Sequence, residues 1–215
     1  MKVGTDGVLI GAWTQVENAN RVVDLGAGTG LISLMIAQKS RASITAVEID
    51  EASARQCEEN FRASPWCGRL KVVNQDVFQF HATELFDVVV SNPPYHDENI
   101  LSPRKQRALA RSAEIPLKLW LEKAYSLCHE DGIFTWIIPA HKENEILQQA
   151  RFIGWFPSKI TRVRPNATKS NVRTMFQFQK KKTDLLLDDL TIETEQRGFY
   201  TEAYQSLCKD YYLKF

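Results

Sequence analysis

Arg21-Val22-Val23-Asp24-Leu25-Gly26-Ala27-Gly28-Thr29-Gly30 is the stretch whose reading decides the fold. Arg21 to Leu25 form a short apolar strand, three glycines follow in G-x-G-x-G spacing, and Leu31 to Gln38 take up a helical pattern. Glycines there let the backbone approach a ligand with no side chain in the way, and the helix beyond offers its N-terminus. The pattern then repeats outward. Ser43 to Ile49 read as a second strand, Glu51 to Ala63 as a helix, Leu70 to Val73 as a third strand and Phe86 to Ser91 as a fourth. Parallel strands joined by right-handed helical crossovers bring all their carboxyl ends to one side, where open α/β sheets bind ligands. That edge would carry Asp24, Gly28, Glu48, Asp76 and Asn92.

Each of these residues has a chemical use there. Glu48 follows Gly28 by 20 residues, where a carboxylate can accept both hydroxyls of a ribose. Asp76, ending the third strand, can receive the amino group of an adenine. The fourth strand stops on Ser91-Asn92-Pro93-Pro94-Tyr95. Two prolines cannot donate to a sheet ladder, so the backbone leaves the sheet with its carbonyls available. The Asn92 side-chain oxygen and the Pro93 carbonyl can each accept one N–H of an exocyclic amine or carboxamide, turning the nitrogen lone pair toward an electrophilic methyl group. No strong base is then needed. Tyr95 offers a ring on which a flipped-out base can stack, worth about 1–3 kcal/mol.

Composition sets bounds. With 215 residues, 44% of them hydrophobic, the chain can bury a full core and reads as a single domain. It divides into an N-terminal turn and helix (1–20), a cofactor-binding and catalytic core (21–140) and substrate-side strands with a C-terminal helix (141–215). The 27 Lys and Arg against 26 Asp and Glu leave the overall charge uninformative about nucleic acid. Cys57, Cys67, Cys128 and Cys208 show no C-x-x-C spacing and the four histidines no H-E-x-x-H, so neither disulfides nor a metal site is expected. With no apolar run near the roughly 18 residues of a membrane span and no signal peptide, the expectation is a soluble cytoplasmic monomer.

The rest of the chain concerns the substrate. Lys2 to Trp13 begin with a glycine-rich turn that either caps a short helix through Thr5 or Asp6 or forms part of a lid beside the cofactor. Beyond Tyr95, Arg104, Lys105, Arg107 and Arg111 make a basic stretch; Arg104, Arg107 and Arg111 share one face of a helix and suit a polyanion. Pro116 to Cys128 read as a helix, Asp131-Gly132 as a turn, Ile133 to Ile138 as a fifth strand and Lys142 to Phe152 as a helix. Between Pro157 and Lys182 there are eight Lys or Arg and no Asp or Glu, in a segment that alternates like two edge strands; RNA contact is one reading of it, a solvated surface the other. A last strand is expected around Leu190 to Thr194 and a terminal helix within Tyr200 to Phe215.

Taken together, Asp24 to Gly30, Glu48, Asp76 and Asn92 to Tyr95 resemble a Rossmann-like class I methyltransferase that uses S-adenosylmethionine to modify an amino nitrogen. Lys2-Val3-Gly4-Thr5-Asp6-Gly7-Val8-Leu9-Ile10-Gly11-Ala12-Trp13 narrows the resemblance to the bacterial tRNA-valine adenine-37 N6-methyltransferase family. Ser64-Pro65-Trp66, Ser102-Pro103 with Arg107 and Arg111, and the ending Tyr200-Thr201-Glu202 through Tyr211-Tyr212-Leu213 strengthen it. The resemblance implies a mostly parallel, twisted sheet of seven strands with an antiparallel edge strand and helices on both faces. It implies cofactor contacts from Asp24, Gly26, Ala27, Gly28 and Gly30 in the loop, and from Glu48, Ile49, Asp76, Val77 and Asn92 at the later strand ends. Asn92, Pro93, Pro94 and Tyr95 become the catalytic tetrapeptide and Arg104, Lys105, Arg107 and Arg111 the tRNA contacts near the anticodon. Family members carry a further stretch ahead of the Lys-Val-Gly-Thr-Asp-Gly motif, so a truncated or late start is expected here.

Three other readings compete. Enzymes that methylate a release-factor glutamine share the tetrapeptide but carry a helical domain ahead of the glycine loop, where this chain has about 20 residues. A ribosomal RNA guanine or adenine methyltransferase differs only in the RNA that docks. A non-catalytic RNA-binding module would have no need of Asn92 and Asp24.

Overall fold

The computed structural model describes residues 4–93 and 116–212. Helix α1 (Thr5–Trp13) leads to strand β1 (Arg21–Leu25), then α2 (Leu31–Lys39), β2 (Ser43–Glu48), α3 (Glu51–Ala63), β3 (Leu70–Asn74) and β4 (Phe86–Ser91). The second half runs through α4 (Leu117–Leu127), β5 (Cys128–Pro139), α5 (Glu143–Ile153), β6 (Phe156–Arg164), β7 (Arg173–Gln179), β8 (Leu186–Thr191) and α6 (Glu202–Cys208). The strands form one eight-stranded sheet in the order β3-β2-β1-β4-β5-β7-β6-β8. Neighbours from β3 to β5 are parallel, β7 is antiparallel to both β5 and β6, and β6 and β8 are parallel. Seven strands therefore point the same way.

The α/β class and the mostly parallel sheet are as expected; several details differ. The sheet has eight strands rather than seven, and the antiparallel strand lies inside it, between β5 and β6. Strands β6 and β7 read as edges because polar residues alternate along them, yet β7 is buried throughout its middle. Thr174 and Gln177 are buried there because their side chains bond to Glu143 and Ser158. The last strand starts earlier than expected, since Leu186 and Leu187 are exposed and show no buried alternation. Asp131-Gly132 form no turn but lie within β5, where the β4–β5 register shifts. A Cβ on Gly132 would sit 2.8 Å from the Asp87 carbonyl, a strand-to-strand approach only glycine allows. Finally, α1 is capped at Gly4 without a side-chain bond; Thr5 and Asp6 fall inside the helix, and Asp6 pairs with Arg173 instead.

Burial on both faces explains the near-continuous apolar runs of the central strands. On one face Val89, Phe134, Trp136, Phe176 and Phe178 pack with Trp120, Leu121 and Ile146 of α4 and α5. On the other, Val22, Val88, Val90, Ile137 and Met175 pack with Ile10, Trp13, Ile36 and Tyr204 of α1, α2 and α6. Each fully buried large side chain contributes about 1.5–3 kcal/mol, so two such layers clamp the sheet and fix its carboxyl edge. Among the described residues no helix is long and apolar enough to cross a membrane.

Candidate active site

Four parallel strands end side by side on that edge. Leu25 of β1 is level with Val47 of β2 and Ser91 of β4, and Glu48 of β2 with Asn74 of β3. The Ser91 hydroxyl donates to the Leu25 carbonyl at 2.8 Å, so Asn92 leaves the sheet beside the first glycine of the loop.

The loop is wound tightly enough to need its glycines: Gly26, Gly28 and Gly30 have φ of 76°, 57° and 85°, a region that costs other residues energy. Its amides turn inward. Gly26 and Ala27 donate to the Val47 carbonyl, Gly30 to that of Ala27, and Gly28 to Glu48 Oε2 at 2.7 Å. With these N–H groups spent on protein, the loop is no cradle for a phosphate, unlike the loops that expose amides to a pyrophosphate.

Carboxylates dominate this half of the edge. Glu48 Oε1 accepts from the Asp50 amide at 2.9 Å, so Glu48 spans the loop and its own strand end. Asp76 Oδ1 accepts from the Phe78 amide, opening a turn that seats Val77 in the core. Asp24 is wholly buried; its Oδ2 accepts from Ser33 Oγ at 2.8 Å, and its Oδ1 has no hydrogen-bond partner among the described residues. Burial pushes its pKa from 3.8 up to about 7, with the charge on Glu48 adding to the shift. Beyond Glu48 the side chain of Ile49 stands 66% exposed, an apolar face at the rim.

The structure thus brings Asp24, Gly26, Ala27, Gly28, Gly30, Glu48, Ile49, Asp76, Val77, Asn92 and Pro93 to one edge. Pro94, Tyr95, Arg104, Lys105, Arg107 and Arg111 lie outside the described residues. Supporting groups escaped the sequence reading. Asn60 Nδ2 holds the Thr29 carbonyl, Asn74 Nδ2 bridges the Glu48 and Ile49 carbonyls, and Ser33 steadies Asp24. Asn74 carried a signal as a polar residue ending an apolar strand; Ser33 and Asn60 are ordinary helix positions. The first turn of α1 also belongs here: a Cβ on Gly7 would lie 4.0 Å from Asn92 Nδ2, and Arg173 Nε anchors Asp6 at 2.8 Å.

An acid-rich strand edge, a glycine loop with inward amides and an Asn-Pro exit beside it define a class I methyltransferase architecture. Solved structures share the fold. A protein of Agrobacterium tumefaciens described as a predicted O-methyltransferase superposes with a TM-score of 0.75 at 19% identity, covering 95% of this chain and 96% of that one. A putative RNA methyltransferase of Pyrococcus horikoshii gives 0.59 at 21% identity over 82% of each. The family model described as methyltransferase small domain matches residues 5–119. The tRNA1(Val) (adenine(37)-N6)-methyltransferase of Phocaeicola vulgatus is 42% identical over 99% of this chain and 91% of its own length. That of Erwinia tasmaniensis is 38% identical over 99% and 89%. The chain belongs to the tRNA1(Val) (adenine(37)-N6)-methyltransferase family, and its methyl donor is S-adenosylmethionine.

The residues present fit that donor. It carries a positive sulfonium, a ribose and an adenine but no phosphate, which suits a carboxylate-lined edge whose loop amides are already used. Glu48, Asp76 and the exposed Ile49 all stand on that edge.

Proposed function

We propose that the protein methylates N6 of adenine 37 in a valine tRNA, next to the anticodon, acting as a single-domain monomer in the cytoplasm. The observation that carries this reading is the emergence of Asn92 and Pro93 from β4 directly beside the glycine loop, fixed by the Ser91–Leu25 hydrogen bond. S-adenosylmethionine would supply an electrophilic methyl group. The chain's own residues do the rest. The Asn92 side-chain oxygen and the Pro93 carbonyl each accept one amino N–H, drawing a conjugated nitrogen toward tetrahedral geometry so that its lone pair can attack. These acceptors also favour the positive charge that grows on the nitrogen. Tyr95 would stack on the flipped adenine, and Arg104, Lys105, Arg107 and Arg111 would meet tRNA phosphates.

The test is to incubate the protein with S-adenosylmethionine and unmodified tRNA, digest to nucleosides and read N6-methyladenosine by mass spectrometry, with fragment mapping of its position. Methyladenosine at position 37 is expected. Methylated release-factor glutamine, or methyl transfer to ribosomal RNA only, would overturn the reading.

A further inference from the structure

The basic run between Pro157 and Lys182 looks uniform in sequence, but the fold sorts it. Lys180 donates to the Cys128 carbonyl at 2.8 Å and lies over the Tyr125 ring, and Lys181 pairs with Asp131. Both follow the end of β7, which runs antiparallel, so they sit at the sheet edge opposite Asn92. Lys159 lies over the Trp13 ring, and Arg162 is held by both carboxylate oxygens of Glu143. On the Asn92 edge lie Arg164, which donates to Thr191 Oγ1, Arg173, paired with Asp6, and Lys142, paired with Glu145 just after β5, together with Lys169.

Lys169 sits in the loop joining β6 to β7, and that loop is built in advance. Asn166 Oδ1 accepts from the amide and hydroxyl of Thr168, the Lys169 amide donates to the Asn166 carbonyl, and the Ala140 amide donates to the Val172 carbonyl at 3.1 Å. The last bond staples the loop to the exit of β5, the strand next to Asn92. Ala167, Thr168, Lys169 and Ser170 at its tip are exposed. Strands β7 and β6 stand two and three places from β4, about 10 and 15 Å at the usual strand spacing, a span of a few nucleotides along one strand.

Charge sets the direction. The ends of β2 and β3 present Glu48, Asp50 and Asp76, which repel phosphate. On the β5–β7–β6 side Asp6 and Glu143 are already paired with Arg173 and Arg162. Glu193, whose amide bonds the Pro165 carbonyl, marks the outer limit. We infer that the β6–β7 loop, residues 165–172, is a phosphate contact for the RNA backbone, with Lys169 as its charge, and that RNA runs from Asn92 across β5 and β7 toward it. This rests on the tRNA reading above.

The experiment compares Lys169→Ala with Lys182→Ala, on the opposite edge, for binding to unmodified tRNA across a salt series and for methylation. For Lys169→Ala the slope of log affinity against log salt should shrink by about one unit. KM for tRNA should rise several-fold, with kcat and S-adenosylhomocysteine affinity unchanged, while Lys169→Arg restores the slope. An unaltered slope and KM for Lys169→Ala, or an equal loss for Lys182→Ala, would overturn the inference alone. Failure of the unsubstituted protein to bind or methylate tRNA would overturn the functional reading and this inference with it.

Discussion

Glu48 Oε2 accepts from the Gly28 amide at 2.7 Å while its Oε1 accepts from the Asp50 amide at 2.9 Å. One carboxylate thereby sets the height of the glycine loop over the end of β2. Glu48→Gln keeps the shape but turns an NH2 group toward one of these two N–H donors. If the carboxylate also accepts from the ribose hydroxyls, charge-assisted bonds worth about 1.5–3 kcal/mol are weakened, so S-adenosylhomocysteine should bind roughly 10- to 100-fold more weakly by calorimetry. Because Glu48 is buried and one amide would lose its acceptor, the melting temperature should fall as well. Unchanged affinity would mean that Glu48 only braces the loop.

Asn92 makes a different prediction, since the proposed mechanism sets it against the amino nitrogen that is methylated. Asn92→Ala should lower kcat by about 100-fold or more, the scale of losing one positioned polar contact in a transition state. S-adenosylhomocysteine affinity should stay within a factor of about two, a change worth well under 1 kcal/mol. The two measurements together separate catalysis from cofactor binding. Activity that survives the substitution would remove the amino-group clamp from the mechanism.

Much of this edge was legible in the sequence because it is local. Asp24 to Gly30, Glu48, Asp76 and Asn92 each end an apolar run, and a parallel sheet delivers such ends to one side whatever the details. What stayed hidden depends on pairs distant in the chain. Asp6 meets Arg173, 167 residues away, and no local pattern announces it. The interior place of β7 was equally hidden, because Thr174 and Gln177 look like surface residues until Glu143 and Ser158 are brought to them. The division of the basic block between two sheet edges follows from the antiparallel direction of β7, a fact of topology rather than of composition.

Asp24 should leave a signature in stability against pH. Burial raises its carboxyl from 3.8 to about 7, so the folded chain holds this proton more tightly than the unfolded one. For such a group stability is greatest below the unfolded value and declines as pH rises from about 4 to about 7. The full effect is on the order of 4 kcal/mol. Asp24→Asn cannot ionise and keeps an acceptor for Ser33. Urea midpoints across that window should therefore fall with pH for the unsubstituted protein relative to Asp24→Asn. Parallel curves would show that Asp24 is ionised in the folded chain throughout.

Gly30 and Gly198 allow the two burdens on the loop to be separated, since both have positive φ, 85° and 86°. A Cβ on Gly198 would meet nothing within 4 Å among the described residues, whereas on Gly30 it would lie 2.6 Å from Cys57 Sγ and 2.7 Å from the Phe61 ring. Gly198→Ala should thus cost only the left-handed conformation, about 1 kcal/mol. Gly30→Ala bears the same cost plus a clash with two core side chains at the start of α2, roughly 1–3 kcal/mol more. Adding Cys57→Ala removes the sulfur but leaves the Phe61 ring and the dihedral, so the double variant should recover only part of the loss in a double-mutant cycle. Full recovery would assign the tightness to Cys57 alone; none would place it on the Phe61 ring or the backbone conformation, and Gly198→Ala, which bears the conformation without the ring, would tell these two apart.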